Sequence, residues 1–182
     1  MRIDRLTKEH DVNIKWVHFP LHPDTPAVGG RSLEDLFAGR GKDIPAMNAQ
    51  MRERMAAEGL PYGERSMTYN SRLAQELGAW AHEQPGGDAI HDALFKAYFV
   101  DGKDISDKQV LIDIAVAVGL PADGARQVLE ERTHQAVIDA DWNKSRQYGV
   151  TGVPTFVANM QGVVGAQPYE ALVHLVEQAR KS

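Results

Sequence analysis

The run Tyr148-Gly149-Val150-Thr151-Gly152-Val153-Pro154-Thr155-Phe156-Val157 holds the most unusual backbone chemistry of this chain. Proline has no N–H for a sheet ladder, so at the head of an apolar β-like run it belongs at a strand's first residue, an edge or a bulge. An X–Pro bond also accepts the cis form far more readily than other peptides. A cis Val153–Pro154 bond would turn the Val153 N–H and C=O toward solvent, where an extended ligand could pair with them. Against this stands a second fact: the 182 residues contain no cysteine. Disulfides, thiolate nucleophiles and thiolate-bound metals are therefore beyond the reach of these residues.

The other polar groups read as less specific. His18, His22 and Asp24 suggest a metal site, but i, i+4 spacing serves ligands on a helix, and Pro20 and Pro23 forbid one there. A solvated loop accounts for them. His82, His91, His134 and His174 fall singly on predicted helices and read as surface or satisfied core residues. Asp139 and Asp141 flank Ala140 and so face different sides of a helix, which is no acid–base pair. Gly29-Gly30-Arg31-Ser32 has the form of an anion cradle at a helix start, yet serves equally as a Gly-rich connector. Met47, Met51 and Met55 share a helical stripe, which points to core packing over an adaptable apolar groove.

The elements that position these groups follow from periodicity. Residues 2–10 read as the end of a helix, and Val12–Phe19 alternates apolar and polar for most of its length, as a half-buried strand does. Three prolines and Gly29-Gly30 then enforce a long loop. From Ser32 to Gln147 the pattern is helical, with Ser32, Asp88 and Ser106 as N-caps and Pro45 in a first turn. After Gly149 the period returns to strand, Asn159–Gly162 marks a hairpin turn, and Pro168 opens a last helix. The net charge of −5 argues against nucleic acid as a partner. No apolar run approaches the roughly 20 residues of a membrane span, and the charged first ten residues lack a signal-peptide apolar core. A cytoplasmic protein is expected.

Three stretches together carry a family resemblance across most of the chain. They are Trp16–Asp24; Tyr69–Ala81 with Ala97–Asp107; and Gly149–Val157 with Gly165–Pro168. Gly-Val-Thr-Gly-Val-Pro-Thr-Phe resembles the cis-proline loop of the DsbA family, and the ensemble is most similar to its cytoplasmic, FrnE-like branch. The resemblance implies an α/β, thioredoxin-like fold with an inserted all-helical subdomain: an incomplete core from 1–31 and 148–182, and a helical insert over 32–147. It places Thr151, Gly152, Val153, Pro154 and Gln167 at a substrate-binding face.

The family begins with a strand and a Cys-Pro-x-Cys motif, and neither stands in this sequence. The expectation is that Met1 is internal to a longer protein, that the sheet closes up differently, or that a second copy fills the gap. The resemblance implies a thiol–disulfide oxidoreductase family protein that is redox-incompetent as given. Two alternatives stay open. One is a non-catalytic, homodimeric module binding a peptide, a thiol-bearing substrate or glutathione. The other is a glutathione-dependent isomerase or transferase of the kappa-like branch. No catalytic residue, metal or membrane contact is assigned, and glutathione is the sole small-molecule candidate.

Overall fold

A computed structural model describes residues 2–181; they are mainly helical, and their β structure is confined to two short antiparallel pairs. In chain order the elements are α1 (Arg2–His10), β1 (Arg31–Ser32), α2 (Leu33–Leu36), α3 (Ile44–Ala57), β2 (Met67–Thr68), α4 (Arg72–Ala81), α5 (Ala89–Phe99), α6 (Lys108–Ala117), α7 (Ala122–Glu131), α8 (Gln135–Gln147), β3 (Thr155–Ala158), β4 (Gln161–Val164) and α9 (Tyr169–Lys181). Two compact units divide them, one of residues 1–21 with 139–182, the other His22–Ile138. Among the described residues no helix is long and apolar enough to cross a membrane.

The His22–Ile138 unit has its core on α4 to α7. Leu77, Ile90, Leu111 and Leu129 are fully enclosed there, with Trp80 and Leu120 beside them. Each helix contributes one apolar stripe, which is how an amphipathic sequence becomes a bundle. Asp107 caps α6, its carboxylate accepting from the Gln109 and Val110 N–H groups. The sequence pointed to Ser106 for that role, but the Ser106 hydroxyl is engaged by the Asp104 carboxylate. Asp88 does stand at the N-cap of α5, but its carboxylate makes no cap hydrogen bond and pairs with His82 instead. The helical run also carries the two-residue β1–β2 pair, with Arg31 opposite Thr68. The methionine stripe of α3 is not core: α3 has no buried residue, and Met47 and Met51 are exposed.

One charge sits inside this bundle. Glu76 on α4 is fully buried, and both its oxygens are taken by guanidiniums. Arg132 donates Nε to Oε2 and Nη2 to Oε1, each at 2.7 Å, and Arg72 donates Nε to Oε1 at 2.7 Å. Arg132 occupies the left-handed C-cap of α7 at φ 56°, which turns its side chain back toward α4. Arg72 also donates to the Gln135 carbonyl at 2.9 Å. Burial alone would raise the Glu76 carboxyl, but Arg132 and Arg72 more than offset it and hold it below the usual range.

The other unit packs α1 and α9 against one face of the β3–β4 hairpin. Leu6, Leu172 and Val176 form its center, joined by Ile3, Val12, Phe156, Val163 and Val173. The register pairs Thr155 with Val164 and Phe156 with Val163. Phe156 and Val163 therefore point to the helices while Thr155, Val157 and Val164 face the opposite way. Asn159 and Met160 close the hairpin with φ of 45° and 65°, the pair of positive angles that a two-residue type I′ turn requires. Across the helices, Tyr169 donates its hydroxyl to Glu9 at 2.7 Å, and Arg5 lies 3.9 Å over the Tyr169 ring.

The alternating segment Val12–Phe19 is not a strand. Its residues have no ladder partner, because the only pairings among the described residues are β1–β2 and β3–β4. Val12 joins the helical core, Ile14 and Trp16 lie exposed at 38% and 68%, and the His18 N–H goes to the Asp141 carboxylate at 3.1 Å. Alternation sets which side chains share a face; a strand also needs a neighbor to accept its hydrogen bonds.

Replacing Glu76 by Gln leaves two buried or half-buried guanidiniums facing a neutral amide, and should destabilize the chain by about 3 kcal/mol in urea unfolding. The native carboxyl titrates below its unfolded value. Its contribution should therefore be complete above about pH 4.3 and fall away as pH drops through the lower folded-state value. The Gln variant should lack that acid-side decline.

Candidate functional site

The residues singled out by the sequence lie at the open end of the hairpin. Residues 149–154 lead into β3, and Gln167 follows β4. The Val153–Pro154 peptide is cis. Two hydrogen bonds fasten the loop: the Gly165 N–H donates to the Pro154 carbonyl at 2.7 Å, and the Thr155 hydroxyl donates to the Gly152 carbonyl at 2.7 Å. Gln167 reaches back from the other side, its amide donating to the Val164 carbonyl. Since Thr155 pairs with Val164, Pro154 and Gln167 flank the same end of the two-stranded sheet.

Val153 itself is 53% exposed, with Thr151 and Pro154 exposed on either side and Gly152 half-buried between them. Among the described residues neither the Val153 N–H nor its C=O has a hydrogen-bond partner. An unpaired donor and acceptor on an exposed loop beside a sheet end can accept a strand-like ligand through main-chain hydrogen bonds. Next to it, Tyr148, Val150, Thr155, Val157, Met160 and Val164 line a shallow cavity of about 230 Å³ on the hairpin face turned away from the helices. Exposed Val157, Met160 and Val164 make this face apolar.

A polar pair missed by the sequence reading belongs to the same unit. Asp141 Oδ2 accepts from the His18 N–H at 3.1 Å and from Nδ1 at 2.8 Å. A carboxylate can only accept, so the Nδ1 nitrogen carries the proton. Both side chains are about four-fifths buried, at 21% and 18% exposure. The two lie 123 residues apart, so no local spacing announces the pair. His18 is thus no solvated loop residue, whereas His22 is half-buried in the other unit. Burial lowers the His22 pKa, and the charges of Arg40, Arg31 and Arg65 lower it further. Among the described residues no three His, Cys, Asp or Glu side chains gather as a metal site.

The comparisons with known proteins bear on this arrangement. The family model for a DsbA-like thioredoxin domain matches residues 1–177. The chain belongs to the DsbA-like thioredoxin domain family. The structure is similar to that of a probable DsbA oxidoreductase from Streptomyces coelicolor, at 28% identity and a TM-score of 0.86 over 100% of this chain and 82% of that one. The sequence is 26% identical to the Bacillus subtilis protein YwbO over 96% of this chain and 86% of that protein. The cytosolic disulfide reductase DsbM from Pseudomonas aeruginosa shares the fold, with 19% identity and a TM-score of 0.53 over 76% of this chain and 78% of that one.

This is a DsbA-like, thiol–disulfide oxidoreductase family chain with a thioredoxin-like fold, and its 182 residues contain no cysteine. Family chemistry runs through a thiolate. What these residues supply is the loop beside the hairpin, its apolar face, and the His18–Asp141 pair that ties the 12–19 segment to α8.

Changing Asp141 to Asn removes a charged acceptor from two hydrogen bonds and should cost about 1.5–3 kcal/mol in a urea titration. With His18 released, acrylamide quenching of Trp16, already exposed, should rise further.

Proposed function

We propose that this chain is the substrate-binding part of a DsbA/FrnE-like system, holding an extended peptide or thiol-bearing substrate on the Thr151–Pro154 loop without performing redox chemistry itself. The observation that carries this reading is the exposed, unpartnered Val153 backbone at the hairpin end, in a chain whose family match spans residues 1–177. Family members act on disulfides by presenting a thiolate; here the loop is retained and the thiolate has no residue to supply it. Gln167 borders the same sheet end and would meet the substrate backbone. In this reading residues 1–31 with 148–182 form the thioredoxin-like core, 32–147 the helical insert, and the protein works in the cytoplasm. Glutathione, a short thiol peptide, suits the same loop.

A homodimer is a second reading, favored by one observation. Among the described residues β3 pairs only with β4, which leaves one edge of each strand without a ladder partner there, and open edges pair with other chains.

An amide NMR titration with a cysteine-containing peptide and with oxidized glutathione tests the binding reading. Shifts should concentrate at residues 151–155 and Gln167, and Val153→Pro, which removes the N–H along with the valine side chain and fixes φ, should weaken binding about tenfold or more, at least the value of one hydrogen bond. Shifts scattered elsewhere, or none, would overturn it. The chain alone should leave insulin disulfides intact. Light scattering decides the dimer: a mass near 40 kDa, twice the 20.1 kDa of one chain, supports it, and a mass of 20.1 kDa removes it.

A further inference from the structure

Two histidines that the sequence places nine residues apart meet in the helical unit. His82 stands at the C-cap of α4 and His91 on α5, and their Nε2 atoms are 2.9 Å apart with ring centroids at 4.7 Å. The other nitrogen of His82, Nδ1, lies 2.7 Å from Asp88 Oδ1. Because a carboxylate only accepts, that contact fixes the proton on Nδ1 and leaves the His82 Nε2 lone pair directed at His91. The loop between them is held closely. A side chain at Gly87 would lie 1.7 Å from the Ala81 carbonyl oxygen, so this approach exists only with glycine. The His91 ring in turn packs over Gly78, where an added Cβ would meet Cε1 at 3.3 Å.

We propose that His82 and His91 form a two-histidine site for a square-planar or octahedral divalent metal ion, nickel or copper in class, with Asp88 orienting His82 from behind. A carboxylate on the far nitrogen of an imidazole is the usual support of a metal-binding histidine. The distance selects the geometry. With metal–nitrogen bonds of about 2.05 Å, nitrogens 2.9 Å apart subtend about 90° at the metal, the cis angle of a square-planar or octahedral ion. A tetrahedral ion would need them about 3.3 Å apart. Metal entry shifts the His91 proton from Nε2 to Nδ1, so neutral rings release no net proton. His82 is 40% exposed and Asp88 86%, so water has access to complete the coordination sphere. No third histidine, cysteine or carboxylate joins them among the described residues, so water would fill the ion's remaining positions. The bound ion would tie the end of α4 to α5.

The test titrates the untagged chain with copper(II) chloride, an ion paramagnetic in either geometry, read by calorimetry and by paramagnetic broadening of histidine ring protons. One equivalent should bind, broadening should center on His82 and His91 among the seven histidines, and the thermal midpoint should rise with copper concentration. His91→Ala should abolish the stoichiometric step, Asp88→Asn should weaken it about 10-fold or more, and His134→Ala should leave it unchanged. Broadening spread evenly over the histidines, or binding that survives His91→Ala, would overturn the proposal and leave an imidazole–imidazole hydrogen bond. Should His91→Ala fail to fold, the broadening pattern of the unaltered chain decides the matter by itself.

Discussion

A two-stranded hairpin is marginal in water unless something covers one of its faces. In this protein α1 and α9 provide that cover, and the candidate site depends on it. Phe156 and Val163 turn inward onto Leu6, Leu172 and Val176, which fixes the register and sends Thr155, Val157 and Val164 to the opposite face. A slip of one residue would exchange the two sets and bury the wrong face. The Asn159–Met160 turn sets the same register from the other end. With the strands fixed, the Gly165 N–H meets the Pro154 carbonyl, and the loop that presents Val153 has a defined shape.

The helical unit meets a different constraint. Its core holds one buried carboxylate, Glu76, and such a group survives only when its oxygens are matched. Arg132 and Arg72 supply that match from the end of α7 and the start of α4. Such a group adds little net stability over an apolar equivalent, but removing one partner is costly. It therefore acts chiefly on which arrangement of α4 and α7 is acceptable. The left-handed backbone of Arg132 is part of the same device, since it turns the chain at the point where the guanidinium must face inward.

Family chemistry and the residues of this chain diverge at one atom type, sulfur. A thioredoxin-like fold offers a disulfide enzyme two things: a thiolate whose pKa is depressed, and a backbone edge that aligns the substrate. In the proposed reading the exposed Val153 loop supplies the second, and the first has no residue to supply it. Beside the loop, the hairpin face carries the apolar side chains Val157, Met160 and Val164, which line a shallow cavity.

The sequence by itself determined the helices, the hairpin, the family and the location of the loop. Helical periodicity, a turn-forming Asn159 and a proline heading an apolar run are local signals, legible because each depends on a few neighboring residues. It misread what depends on distant partners. Val12–Phe19 alternates like a strand, yet among the described residues no ladder stands beside it, and the His18 N–H goes to a carboxylate on α8. Asp88 and Ser106 are good caps by type, but His82 and Asp104 engage them first. The α3 methionines keep a core-like spacing on a helix that buries nothing. The pairings of Glu76 with Arg132, His18 with Asp141 and His82 with His91 were decided only by the tertiary structure. A hydrogen bond needs two groups within about 3 Å, and only the packed chain brings such groups together.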